Sequence, residues 1–270
     1  MRKKILIKLG GASLQNPATL NELIKLIKGF HQKYYDVMLV HGGGPAINQE
    51  LIAKGIQWKF INGQRQTSLE MMSVIEEVLV HRINPMLVKM LCAAEVAAFG
   101  VSGVQNKILF CTQADKELMQ VGKIESVNSD CIEDFFSLDV QQVPILAPIG
   151  VGLNNNKYNI NADWAAAKIA IALKAEMLIF LTDQDGILDQ EKNLVHKVTR
   201  EAVNKLIENG VISGGMYTKV MAMMAALNSG IRQIHVVNAS AASLLLTEQH
   251  IGTLLMEEKI ENIRDTALWN

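Results

Sequence analysis

Much that would betray a function at a glance is missing from this chain. Its 270 residues hold only three cysteines, Cys92, Cys111 and Cys131. Their spacing fits neither a metal site nor a redox pair, and an odd count argues against a disulfide framework. Aromatic residues make up 5%, against 13 methionines, so the expected core is mostly aliphatic. Lys and Arg number 26 and Asp and Glu 27, a net charge of −1, and no basic footprint for nucleic acid results. Met1-Arg2-Lys3-Lys4 has the charge to open a signal peptide, but Lys8 ends the apolar run after three residues. With no signal-peptide core and no membrane-length apolar segment, the expectation is a soluble, cytoplasmic protein. No linker, repeat or low-complexity tract divides the chain.

What is present is a large apolar fraction, 49%, enough for one large domain or two small ones. Strand and helix signals alternate. Strands are expected at residues 5–9, 36–40, 95–99, 143–147, 177–182 and 233–237. Leu20, Leu23, Ile24, Ile27 and Phe30 follow helical spacing after an Asn16-Pro17 start. Thr67-Ser68-Leu69-Glu70 has capping-box spacing before an amphipathic run to Met90, which Pro85 should kink or divide. A hairpin is expected near residues 108–127. Alternation of this kind predicts an α/β fold: a mainly parallel sheet with helices on both faces.

The strand ends carry the chemistry. Residues 5–9 run into Lys8-Leu9-Gly10-Gly11, where glycines allow a tight turn and a lysine supplies positive charge, the makings of a phosphate site. Alone, these four residues fit a solvent-exposed turn equally well. Residues 37–40 run into His41-Gly42-Gly43-Gly44-Pro45, with a proline suited to the first turn of the next helix, whose N–H groups would face the same sheet edge. A His-Gly-Gly-Gly run also forms the oxyanion hole of esterases, but the required Gly-x-Ser-x-Gly elbow is missing; Gly100-Val101-Ser102-Gly103-Val104 lacks the last glycine. Walker A and protein-kinase signatures are missing too. Tyr158-Asn159-Ile160-Asn161-Ala162-Asp163 precedes an Ala-rich helix; its amides suit a polar ligand, and Asn161 and Asp163 equally suit a helix cap and first turn. Asp183-Gln184-Asp185-Gly186-Ile187-Leu188 forms a polar strand exit, and Ser213-Gly214-Gly215 enters another helix that carries Lys219.

Taken in order, KLGG at Lys8, VHGGGP at Val40, NGQRQT at Asn62, APIG at Ala147, YNINAD at Tyr158, FLTD followed by GIL at Phe180, and SGGMYTK at Ser213 resemble the amino acid kinase family from about Lys3 to Met256. The resemblance implies a three-layer α-β-α sandwich around a mainly parallel open sheet, in two lobes. An N-lobe of about residues 1–175 would hold the acylated amino acid and the phosphoryl group, and a C-lobe of about 176–256 the ATP. Residues 257–270 form a charged tail. It also implies transfer of the γ-phosphoryl group of ATP to a carboxylate without a covalent enzyme intermediate. Lys8 then contacts the transferred phosphoryl, Lys219 serves the nucleotide side, and Asp163 holds both lysines. Gly11 and Gly44 donate to phosphoryl oxygens, with Gly10 beside them. Gly43, Gly44, Arg65 and Asn159, with Asn161 nearby, bind the acylated amino acid. Asp183, Gly186, Ile187 and Leu188, with Val211, Ile212 and Ser213, contact ATP, and Mg²⁺ arrives with ATP rather than in a cage of protein ligands. The favoured acceptor is N-acetylglutamate; N-succinylglutamate, a carrier-bound aminoadipate, or a non-catalytic ligand sensor on the same fold are the alternatives. Three departures from the family pattern stand at Ser102–Asn106, Tyr217-Thr218 and Ala239-Ser240. The chain opens directly at its first strand, without the N-terminal helix of arginine-inhibited relatives, so a homodimer without that control is expected.

Overall fold

The computed structural model describes residues 2–137, 140–247 and 249–257. The expected tail therefore lies, beyond Glu257, outside the described residues. Eight strands form the main sheet: β1 (Lys4–Leu9), β2 (Asp36–His41), β3 (Ala98–Ser102), β4 (Val143–Ala147), β5 (Met177–Thr182), β6 (Lys197–Thr199), β7 (Gln233–Asn238) and β8 (Thr253–Met256). Their spatial order is β6-β8-β7-β5-β1-β2-β4-β3. All neighbouring pairs are parallel except β7 with β8.

Strands β1, β2 and β5 are apolar almost throughout because both of their faces are covered. The alternation divides them cleanly. Ile5, Ile7 and Leu9 join a core with Leu23, Leu26 and Ile75 on one face. Leu6, Val40 and Phe180 join a core with Ala166, Ala170 and Met223 on the other. The first core receives the helix Pro17–Gln32, α1 (Gly44–Ala53) and the long run Leu69–Ala93. The second receives α2 (Ala162–Ala172) and α3 (Gly214–Asn228). This is the expected three-layer sandwich. Ala165, Ala166, Ala167 and Ala170 are all fully buried, which lets α2 lie close between the sheet and α3.

A four-stranded sheet (Lys157–Asn159, Ile149–Val151, Leu109–Gln113, Gly122–Val127) extends the second face and contains the expected hairpin. Three expectations change. The third strand runs over Ala98–Ser102, not 95–99, because Glu95 takes a left-handed turn (φ 61°) after the preceding helix. The N-cap is Ser68, whose side chain accepts from the Met71 N–H, not Thr67. Pro85 does not simply kink the helix. Residues Glu77–Ile83 widen into a π segment, and Pro85 then falls in the first turn of Asn84–Ala93, where its missing N–H costs nothing.

Candidate active site

In the parallel part of the sheet β1 has β2 on one side and β5 on the other, so their C-terminal ends open onto one edge at a topological switch point, where ligands of such sheets bind. Two glycine turns meet there. The Gly42 N–H donates to Leu9 O at 2.8 Å, and a Cβ on Gly11 would lie 2.8 Å from Gly44 N and 2.9 Å from Gly43 N. Only glycine at position 11 permits that approach. The backbone N–H groups of Gly11, Gly43 and Gly44 find no acceptor among the described residues. Gly44 opens α1 and has nothing within 4 Å of a would-be Cβ, so it borders open space at a helix N-terminus. Gly10 plays a different part: its N–H is taken by Leu181 O at 2.9 Å.

Lys8 lies beside Phe180 in the β1–β5 register and points toward α2. Its Nζ meets Asp163 Oδ1 at 2.8 Å, and Lys219 Nζ, from α3, meets the same oxygen at 3.0 Å. All three side chains are buried. Burial alone would raise the Asp163 carboxyl, but Lys8 and Lys219 outweigh it and hold the carboxyl below its ordinary value. Burial, with the nearby Lys8 charge, brings the Lys219 ammonium down to about 8 against the pull of Asp163. Lys219 also lies 5.4 Å from the centre of the Phe180 ring. Two cations share one anion, which leaves a net positive charge at the glycine turns.

A cleft of about 260 Å³ begins at this cluster and is lined by Lys8, Gly11, Gly43, Gly44, Arg65, Asn159, Asn161 and Asp163, among others. Arg65 enters from the small hairpin Phe60–Ile61/Gln64–Arg65. Its Nη2 donates to Asn48 Oδ1 at 2.5 Å, and its guanidinium carbon lies 4.8 Å and 5.4 Å from the centres of the Phe60 and Trp58 rings. Its Nη1 is buried without a hydrogen-bond partner among the described residues. A buried donor on a charged group is costly to leave unpaired, and a carboxylate is the ligand that matches its fork. Asn159 Nδ2 donates to Thr67 Oγ1 at 3.1 Å, and Thr67 Oγ1 donates to Arg65 O at 2.8 Å, so Thr67 links two cleft residues. Asn161 is the N-cap of α2: its Oδ1 accepts from the N–H groups of Asp163 and Trp164 at 2.9 and 3.2 Å.

The remaining positions lie farther along the same edge and do not line this cleft. Asp183 follows β5 and accepts from the Thr182 hydroxyl. Gly186 sits at φ 157°, where a Cβ would strike Thr253, and the Ile187 N–H donates to Thr253 Oγ1 at 2.8 Å. Ile187 and Ile212 are buried in the core, so only their backbones can face a ligand; Leu188 is half-buried, and Val211 and Ser213 lead into α3. Sequence reasoning passed over Asn48, Trp58, Phe60, Thr67 and Phe180. All five meet the site only through tertiary packing, Phe180 as the partner of Lys8 in the β1–β5 register.

The sequence profile of the amino acid kinase family matches residues 3–238. The chain is 36% identical to an acetylglutamate kinase of Clostridioides difficile, with 95% of this chain and 92% of the relative covered. It is 37% identical to one of Geobacillus kaustophilus, with 96% and 98% covered. Among solved structures, a Streptococcus mutans protein superimposes with a TM-score of 0.83 at 29% identity, covering 95% of this chain and 99% of that one. A Giardia carbamate kinase shares the fold at a TM-score of 0.67 and 15% identity, covering 95% and 99%.

Proposed function

Because the chain belongs to the amino acid kinase family, we propose that it transfers the γ-phosphoryl group of ATP to the side-chain carboxylate of N-acetyl-L-glutamate, giving N-acetyl-L-glutamyl 5-phosphate in arginine biosynthesis. The observation that carries this reading is one cleft with two cationic poles. Lys8, Lys219 and the bare glycine amides suit a phosphoryl group at one end, and the unpaired Arg65 nitrogen suits an α-carboxylate at the other.

The acceptor carboxylate is ionised at neutral pH and needs no general base. One of its oxygens attacks the γ-phosphorus in line, the bond to the β–γ bridging oxygen breaks, and ADP leaves. Lys8 and the N–H groups of Gly11, Gly43 and Gly44 offset charge on the transferred group, Lys219 offsets it on the leaving side, and Asp163 fixes both lysines. Arg65 and Asn159, with Gly43 and Gly44 beside them and Asn161 at the rim, hold the acylated amino acid. Gly10 shapes the first turn. Asp183, Gly186, Ile187, Leu188, Val211, Ile212 and Ser213 surround the nucleotide. We divide the chain near residue 175, with the acyl amino acid on the first part and ATP on residues 176–256. Asp163 is already engaged by two lysines, and the described residues contain no group of three or more metal-ligating side chains. Mg²⁺ would be carried on the ATP phosphates, where it neutralises charge.

No helix among the described residues is long and apolar enough to cross a membrane. We propose a cytoplasmic location, where an ATP-consuming biosynthetic step finds its ATP. We also propose a homodimer. Met71 and Met72 are buried within the monomer and take no part in such an interface. Leu69 and Leu153 are 73% and 74% exposed, and we look for the interface there. A monomeric mass at micromolar concentration contradicts it.

ADP release measured by a coupled assay across N-acetyl-, N-succinyl- and free glutamate tests the function. The highest kcat/KM is expected for N-acetylglutamate. Preference for another acceptor reassigns the substrate, and no turnover with any of them refutes the kinase.

A further inference from the structure

Behind the second glycine turn lies a buried polar pair that does not touch the cleft. His41, the last residue of β2, is fully buried, and Asn84, the first residue of the helix after the π segment, is 3% exposed. His41 Nδ1 lies 2.9 Å from Gly42 O, and its Nε2 lies 3.3 Å from Asn84 Nδ2. The same Asn84 amide nitrogen lies 2.8 Å from Ile145 O and 3.4 Å from Val101 O. An amide nitrogen can only donate, and with two N–H groups shared among Ile145 O, Val101 O and Nε2, the ring nitrogen can take part here only as an acceptor. Nε2 is then the acceptor, the ring is neutral, and its one proton sits on Nδ1 and is donated to the Gly42 carbonyl.

That bond has a consequence across the peptide plane. The C=O and N–H of a trans peptide point in opposite directions. Fixing the Gly42 carbonyl toward His41 turns the Gly43 N–H the other way, and that N–H has no acceptor among the described residues. The turn is wedged besides: a Cβ at Gly42 would meet Gly11 N at 3.0 Å, and one at Gly43 would strike Leu79 and Ile83 of the π segment. With β1 on one side and the π segment on the other, the remaining freedom of the turn is rotation of this peptide.

We propose that His41, locked by Asn84 as the neutral Nδ1–H tautomer, is a positioning residue that aims the Gly43 N–H at the phosphoryl group during transfer. The proposal rests on the kinase reading above. The donor matters most where charge develops, so its misalignment lowers kcat more than it raises either KM.

Two measurements test it. Long-range ¹H–¹⁵N correlation on the unaltered protein reads the His41 tautomer directly, with no need for activity. A protonated Nδ1 is expected, and a protonated Nε2 overturns the proposal. Kinetics of His41→Leu and His41→Asn give the second readout, because an asparagine Nδ2 occupies nearly the place of the histidine Nδ1. His41→Leu should lower kcat at least about tenfold with smaller changes in both KM values, and His41→Asn should recover most of the loss. Wild-type kcat in the leucine variant, or no recovery by asparagine, overturns the proposal. If the unaltered protein phosphorylates no acceptor, the kinase reading fails, while the tautomer still decides whether His41 anchors the turn.

Discussion

Replacing Asp163 with asparagine removes one charge and changes almost no volume, so its effect is electrostatic. Lys8 and Lys219 both contact Asp163 Oδ1, at 2.8 and 3.0 Å, so their nitrogens lie no more than 5.8 Å apart. At that separation, with an effective dielectric constant of about 20, two ammonium groups repel by about 3 kcal/mol. In the native protein the shared carboxylate offsets this. In Asp163→Asn the repulsion is relieved by discharging Lys219, which already sits at about 8. One pKa unit corresponds to about 1.4 kcal/mol, so near pH 7 the loss of stability should be on the order of 1–2 kcal/mol, or a few degrees of melting temperature. Turnover should suffer far more, since a cation is lost and the other is free to move. Removing one contact to developing charge typically costs about a hundredfold or more. The assay is kcat by coupled ADP release, with near-ultraviolet circular dichroism confirming a native fold at the assay temperature. A folded variant with kcat within a few-fold of wild type would show that Asp163 does not hold the two lysines for catalysis. A rate loss that merely tracks unfolding assigns Asp163 to stability alone.

Arg65→Lys keeps the charge but loses the fork, the bond to Asn48 and the stacking on Trp58 and Phe60. The KM for the acylated amino acid should rise about tenfold or more, with that for ATP much less affected, and the opposite pattern in steady-state kinetics would move Arg65 to the nucleotide side. Lys219 is charged below about 8, so kcat/KM should fall as pH rises through that value. Its pKa is lowered by folding from 10.5, so between the two values the unfolded chain binds more protons and this group's contribution to stability rises with pH. Parallel pH–rate and melting profiles should therefore diverge above pH 8, and coincident losses would point to unfolding instead. Gly11→Ala places a Cβ 2.8 Å from the backbone nitrogen of Gly44 and should lower both melting temperature and rate, whereas at Gly44 the Cβ has room. Gly44→Ala should melt normally yet bind substrate poorly, because the methyl group enters the cleft; equal melting losses in the two variants would contradict this geometry.

The local signals were legible and the distant ones were not. Residues 143–147 and 177–182 match β4 and β5 because an apolar run of five or six residues is too short for a buried helix and fits a strand buried on both faces. The third strand slipped because Val96-Ala97 looks apolar while Gly100 looks like a break. Gly100 is in fact a strand residue, small because Asn84 packs against it. Strands β6 and β8 escaped notice because they are short, and their pairing joins segments more than fifty residues apart. The glycine turns and their lysines were visible, since each is a contiguous motif. Nothing local tells that Lys8 and Lys219 share one oxygen of Asp163, that Thr67 braces Arg65 and Asn159, or that Asn84 reaches His41. Such contacts arise only once the sheet is assembled.

If this cleft makes an acyl phosphate from N-acetylglutamate and ATP, hydroxylamine will trap the product as a hydroxamate, with ADP counted in the same sample and Lys8→Ala run alongside. One hydroxamate is expected for each ADP formed, dependent on N-acetylglutamate, with a loss of roughly a hundredfold or more in the variant. ADP without hydroxamate, or equal hydroxamate from wild type and Lys8→Ala, would contradict it.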